Sequence, residues 1–327
     1  MAIVNRIAEF HDDLIQWRRD IHAHPETAFE EIRTSDIVAE KLAEFGIEVH
    51  RGLAGTGVVG TLTGDRGDGP SIGLRADLDA LDILEKNQFD HKSTIPGKMH
   101  ACGHDGHTIM LLGAARYLAE TRNFDGTTVV IFQPAEEGGG GGREMCEDGM
   151  MERWGIQEVY GMHNWPGRPV GEFSIRSGAF FAATDLLEIE FEGLGGHAAK
   201  PQETVDTVVM ASHAITALQS IVSRNADPID RAVVSITSFE TSSNAFNVIP
   251  QKVQIMGTVR TMSAEMRDLA EKRVNEICSG IATTFGGVAR VSYNRNYPVM
   301  ANHDEQTEFA ADVARSISGQ CEEAPLV

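Results

Sequence analysis

The sequence predicts an α/β protein: a mixed-sheet α/β layer domain, with a smaller α+β sandwich of βαββαβ order inserted into it. Three observations predict this. Short β-branched runs alternate with helical stretches up to about residue 183, strict apolar/acidic alternation takes over from 184, and 327 residues exceed the size at which one hydrophobic core stops growing.

Ile7, Phe10, Leu14, Trp17 and Ile21 recur at helical spacing, and Ile37, Val38, Leu42 and Phe45 do so again before Gly46, a suitable C-terminal cap. The chain is therefore expected to open with two amphipathic helices. Strands are expected at 58–63, 71–74, 129–132 and 159–162, with a helix over 108–118 between the second and third.

From 184, Leu187, Ile189 and Phe191 alternate with Glu188, Glu190 and Glu192, the pattern of a strand with one face in water. A helix carrying Val205, Val208, Val209, Ile215, Leu218 and Val222 follows, then strands at 233–239 and 253–259. A second helix carries Met266, Leu269, Val274, Ile277 and Ile281, and a last strand covers 288–293. This order marks 184–293 as the inserted domain. Residues 1–183 and 294–327 form the other domain, to which 304–317 returns as a helix.

Hydrophobic content of 42% with 23% charged residues is ordinary for a globular chain, and no apolar run approaches the roughly 20 residues of a membrane span. The start meets His11-Asp12-Asp13 too soon for the apolar core of a signal peptide, which leads us to expect a cytoplasmic protein. Cys102, Cys146, Cys278 and Cys321 are too few and too irregular for a disulfide framework. A formal net charge of -20 repels phosphate backbones and anionic lipid, so nucleic acid and membrane surfaces are not expected partners.

Chemistry concentrates in a few segments. His100-Ala-Cys-Gly-His-Asp-Gly-His107 packs a thiol, three imidazoles and a carboxylate together. In an extended loop Cys102 and His104, two apart, leave the same face and converge on one ion. Gln133-Pro-Ala-Glu-Glu-Gly138 sets Glu136 and Glu137 at the end of a strand, where open α/β sheets collect functional groups. Neighbours on a backbone are expected to point apart, one binding metal and the other acting as general base.

His163 ends a further apolar strand, and Asp77 follows the strand at 71–74, placed to orient a ligand. Gly55-Thr-Gly-Val-Val-Gly60 fits the dinucleotide pattern but precedes a strand where that fingerprint needs a helix. The run Gly138 to Gly142 lacks the ending of a phosphate loop and reads as a flexible loop. His197 lies in a glycine-flanked loop, and Asn247 and Arg260 punctuate later strands. A cysteine hydrolase using Cys102 and His104, and a non-catalytic metal-dependent binding module, remain as alternatives.

Together these segments, with Arg19-Asp-Ile-His-Ala-His-Pro-Glu26 and Gly195-Gly-His-Ala198, resemble the M20 metallopeptidase family, in its aminoacylase and hippurate hydrolase branch, which includes plant auxin-conjugate amidohydrolases. The resemblance spans nearly the whole chain. It implies a zinc-exopeptidase-like fold and hydrolysis of N-acyl amino acids or similar small amides. It implies two divalent ions (Zn, Mn, Co or Ni) on Cys102, His104, Glu137 and His163, with Glu136 as the base and Asp77 beside it. It further implies an inserted lid that dimerises, and His197, Asn247 and Arg260 as substrate contacts. The family continues through a segment carrying a last histidine ligand, whereas His303 is the only histidine here after Asn302. The resemblance therefore leads us to expect an incomplete second metal position.

Overall fold

The computed structural model describes residues 2–325; Met1, Leu326 and Val327, which the expected domain ranges include, lie outside the described residues. The chain forms two compact units, Met1–Gly167 and Arg168–Val327. No helix among the described residues is long and apolar enough to cross a membrane.

The first unit runs α1 (Ala2–Glu9), α2 (His11–Ala23), α3 (Ile32–Glu44), β1 (Glu48–Leu53), β2 (Gly57–Thr63), β3 (Ser71–Asp77), α4 (His104–Thr121), β4 (Thr127–Gln133), α5 (Gly141–Glu147), α6 (Met150–Arg153) and β5 (Ile156–Gly161). Its mixed sheet has the order β1-β2-β4-β3-β5. The β1–β2 and β2–β4 pairs are antiparallel, whereas β4–β3 and β3–β5 are parallel.

Three helices, not two, precede the first strand, because Phe10, between α1 and α2, leaves helical dihedrals; its ring is buried under the guanidinium groups of Arg6 and Arg116. The edge strand β1 was not legible, since Glu48 and Arg51 face water and its sequence shows no apolar run. In contrast, β2 and β4 read as continuous apolar runs because both sheet faces are covered. Val58, Val130 and Phe132 pack with Ile21, Val38, Leu42 and Leu112, while Val59, Val129 and Ile131 pack with Met145 and Met150 on the other side. β3 extends beyond the expected Leu74: Arg75 and Asp77 end the apolar run, yet their backbones still pair with Ile131 and Gln133.

The second unit runs β6 (Phe173–Ile175), β7 (Gly178–Phe181), β8 (Ala183–Glu192), β9 (Gly196–His197), α7 (Thr207–Leu218), β10 (Ala232–Thr241), β11 (Val248–Ile249), β12 (Lys252–Thr261), α8 (Ala264–Phe285), β13 (Val288–Arg295), β14 (Met300–Asn302), α9 (Asp304–Ser318) and β15 (Cys321–Glu323). Strands β10-β12-β8-β13 form one antiparallel sheet. Helices α7 and α8 pack against the buried Leu187, Ile189 and Phe191 of β8, as the alternation predicts.

Asp206 caps α7, accepting the Val208 and Val209 N–H groups, so Val205 lies outside the helix. After Leu218 the helix gives way to a separate wide turn, Ile221–Asn225, that holds Val222. The strands flanking the four-stranded sheet find each other: β6 pairs with β15 in parallel, and β7 with β14 antiparallel.

Candidate metal centre

The parallel strands set the site. β3 ends at Asp77, β4 ends at Gln133 just before Glu136 and Glu137, and β5 ends at Gly161 just before His163. The crossover helix α4 between β3 and β4 starts at His104. Four chain segments thus reach one end of the sheet, where the carboxyl ends of strands gather ligands.

His104 is therefore the first residue of a helix rather than part of an extended loop. Gly103, at φ +92, turns the chain into it and brings Cys102 and His104 together. A Cβ on Gly103 would lie 2.4 Å from the Asn164 side-chain oxygen, so glycine also lets the Cys102 loop press against the His163 loop.

Glu136 and Glu137 do not point apart. Oε2 of Glu136 and Oε1 of Glu137 each lie 3.9 Å from Nε2 of His104. They sit in a tight turn, not on a strand, so the alternation of strand side chains does not apply. Ala135 enters that turn at φ +51, a conformation costing a non-glycine residue about 1–3 kcal/mol. The glycines that follow are not simply a flexible loop. Gly141 and Gly142 open α5, and a Cβ on Gly141 would meet the Pro134 carbonyl oxygen at 1.8 Å.

Around this end lie three sets of side chains whose donor atoms could share an ion: Cys102, His104 and His163; Asp77, His104 and His107; His104, Glu136 and Glu137. His104 belongs to all three. Its Nδ1 donates to Asp79 Oδ1 at 3.2 Å, which leaves Nε2 as the free lone pair; that atom is fully buried and has no hydrogen-bond partner. His163 is fixed in the same tautomer. Its Nδ1 lies 2.6 Å from the Asn164 carbonyl, which can only accept, so Nε2 faces Cys102 Sγ at 3.3 Å.

The electrostatics fit a cation. Burial pulls the His104 imidazole down, but its hydrogen bond to Asp79, the adjacent Cys102 thiol and the Asp77 charge push it up to about 11. A positive charge on this ring or beside it balances the carboxylate neighbours. Thiol, imidazole and carboxylate donors suit a transition-metal ion, which takes that charge over once they are deprotonated. Burial raises the Glu136 carboxyl above the usual range, with Arg75 acting against it. Burial also opposes ionisation of Asp77, but the His107 hydrogen bond and the Arg75 charge hold it well below that range.

Asp77 receives Nδ1 of His107 at 2.6 Å, and its Oδ2 lies 3.7 Å from His104 Nε2. The carboxylate that orients His104 is that of Asp79, which also accepts the Glu137 N–H at 2.9 Å. Sequence reading left Asp79, His107 and Asn164 without roles. For His107 a signal existed: it lies three residues after His104, hence on the same helix face.

In the second unit, β9 and β11 bring His197 beside Asn247: His197 pairs with Val248, and the Ala198 N–H donates to the Asn247 carbonyl at 2.9 Å. The exposed His197 accepts the Ala199 N–H at its own Nδ1. Arg260 pairs with Thr184 and Val233 near the far end of β12, eight residues from Lys252, roughly 26 Å at the rise of a strand. Its guanidinium bonds the Val259 carbonyl and the Thr258 hydroxyl. His303 precedes α9 at its N-terminal cap position, in this unit.

Residues 73–326 match the Peptidase family M20/M25/M40. Over 320 residues, 98% of this chain and 83% of the relative, the sequence is 43% identical to hippurate hydrolase of Campylobacter jejuni. It is 43% identical over 316 residues to an IAA-amino acid hydrolase of Arabidopsis thaliana, covering 95% of this chain and 71% of that protein. Among solved structures, a Bacillus subtilis protein described as a dinuclear metal-binding peptidase of the M20 family superposes with a TM-score of 0.84. It is 35% identical, over 98% of this chain and 83% of that one. The chain belongs to the M20/M25/M40 peptidase family and is one of its metal-dependent hydrolases.

Proposed function

We propose that the chain hydrolyses the amide bond of N-acyl amino acids and similar small amides, with Cys102, His104, Glu137 and His163 holding two divalent ions and Glu136 as the general base. The observation that carries this reading is the buried, unpartnered Nε2 of His104 with Glu136 and Glu137 at 3.9 Å. Bound there, the ions supply Lewis-acid polarisation of the scissile carbonyl and lower the pKa of water. The mixed thiol, imidazole and carboxylate set suits Zn, Co, Ni or Mn.

Glu136 takes the proton from the attacking water and hands it to the leaving nitrogen; its raised affinity for a proton suits that exchange. Asp79 holds His104 in the ligating tautomer, and the Asn164 carbonyl does the same for His163. Asp77 stays ionised beside them and fixes His107. Hippurate and IAA-amino acid conjugates, named in the relatives, are both N-acyl amino acids, which is the basis for the substrate class.

The proposal extends to the domains: 184–293 is an inserted lid and dimerisation domain, and 1–183 with 294–327 is the catalytic one. Pairing of β6 with β15 and β7 with β14 supports it, since an insertion needs its two flanks to meet. His197 and Asn247 contact the substrate carbonyl or carboxylate, as does Arg260; their separation within one unit fits a site completed across a homodimer. Four unpaired cysteines fit a cytoplasmic location.

A cysteine hydrolase is the second reading, favoured by the 3.3 Å contact between Cys102 Sγ and His163 Nε2. Removing metal with a chelator separates the two. Turnover of a panel of N-acyl amino acids should vanish on chelation and return with Zn or Mn. Turnover that survives full metal removal would sink the metal-centred reading in favour of the thiol.

A further inference from the structure

The turn carrying Glu136 and Glu137 is anchored from outside the site. Glu31, at the N-terminal end of α3, is completely buried, and its carboxylate bridges two segments distant in sequence. Oε1 accepts the Ala135 N–H at 2.8 Å, and Oε2 accepts the Thr56 hydroxyl at 2.7 Å. Ala135 is the residue in left-handed conformation from which the turn starts. Two positions on, the Glu137 N–H is held by Asp79 at 2.9 Å. Alternate N–H groups of the turn thus rest on two buried carboxylates, with Glu136 between them.

We propose that Glu31 is a positioning residue for the Glu136–Glu137 pair, clamping the turn at Ala135 so that both carboxylates converge on His104. The proposal rests on the reading that Glu137 binds metal and Glu136 moves the proton. A carboxylate-to-amide bond is charge-assisted and directional, so it fixes a strained residue better than packing alone. Ala135 is closely packed as well: a Cβ on Gly139 would lie 2.6 Å from the Ala135 Cβ and 2.9 Å from the Phe29 ring. With the anchor removed, Ala135 relaxes toward ordinary dihedrals, and its two successors swing away from His104.

Three variants test this. Glu31→Met keeps the volume and removes both acceptors, Glu31→Asp keeps the charge but withdraws it from Ala135, and Glu31→Gln retains an oxygen for the Ala135 N–H. Affinity for Zn or Mn, measured by competition with a chromophoric chelator, needs no substrate and is the first readout; kcat and KM are the second. Glu31→Met and Glu31→Asp should each lose about 10- to 100-fold in metal affinity and in kcat, with KM unchanged, and Glu31→Gln should recover most of both. If Glu31→Met does not fold, Glu31→Asp decides alone. Wild-type metal affinity and kcat in the Met and Asp variants, at whatever melting temperature, would overturn the proposal. A wild-type protein that binds no divalent ion brings down the functional reading instead, before any variant is compared.

Discussion

The two units differ in what they bury. In the first, Glu31, Asp77, Asp79, His100, His104, Asp105 and His107 are shielded from water, and His100, His104 and Asp105 keep polar atoms without hydrogen-bond partners. In the second, Asp185 and Arg267 are the buried charges, and they satisfy each other: Arg267 Nε donates to Asp185 at 2.9 Å and Tyr293 adds its hydroxyl at 2.7 Å. The rest of that core is mostly apolar around Phe191, Ile189 and Ile255, and the unit's unpaired buried polar atoms among the described residues are the hydroxyls of Thr261 and Thr307, which carry no charge. Unpaired buried ionisable groups cost more stability than unpaired hydroxyls and persist where chemistry uses them, so the contrast sets a unit with a candidate site against one whose interior serves packing.

The sharpest way to break that comparison is Glu136→Gln. If the first unit's polar cluster serves catalysis, the variant should lose roughly 100- to 10,000-fold in kcat while keeping its metal content and melting temperature, because the base is gone and the ligands stay. Near-normal turnover would remove Glu136 from its role.

The converse change is Phe191→Ala in the second unit. It should cost about 3–5 kcal/mol of that unit's stability through lost burial and a cavity, and leave metal affinity as in the wild type. Denaturant unfolding and metal titration of the same samples check it; lost metal affinity in folded protein would show that the two properties are not separable.

The smallest expected effect concerns exposed charge. On the outer face of the second unit's sheet, Glu190 and Glu192 meet Lys252 and Arg290, with Arg290 at 2.8 Å from Glu190 and 2.6 Å from Glu192. The hydrogen bond from Lys252 lowers the Glu190 carboxyl and that from Arg290 lowers Glu192, below the ordinary 4.5. A carboxyl lowered on folding stabilises the fold above its unfolded value, and that contribution disappears as pH falls through the folded value. Arg290→Met should therefore flatten the acid loss of stability slightly, because solvent screens such pairs. Identical acid slopes in unfolding midpoints would show that the cross-strand charges contribute nothing.

Legibility in the sequence followed the range of the interactions. Cys102, His104, Glu136, Glu137 and His163 stand in short segments whose residue types betray their chemistry, and β8 shows its buried face in the alternation of Leu187, Ile189 and Phe191. β1 stayed hidden because an edge strand of Glu48, His50 and Arg51 carries no apolar pattern. Glu31 stayed hidden too: beside Glu30 it reads as a solvated acidic pair, and its partner Ala135 is 104 residues away.

By itself, then, the sequence determined the alternation of elements, the βαββαβ order, the side chains proposed here to bind metal and the family they resemble, because periodicity and motif spacing are local. Only the tertiary structure decided how those side chains meet. The left-handed turn at Ala135 makes Glu136 and Glu137 converge where strand geometry would separate them, and Gly103 starts α4 at His104 rather than leaving an extended loop. It also decided that Asp79, not Asp77, receives the proton on Nδ1 of His104. Each of these depends on backbone dihedrals and on groups brought together from distant strands, and residue type at a given spacing does not encode either.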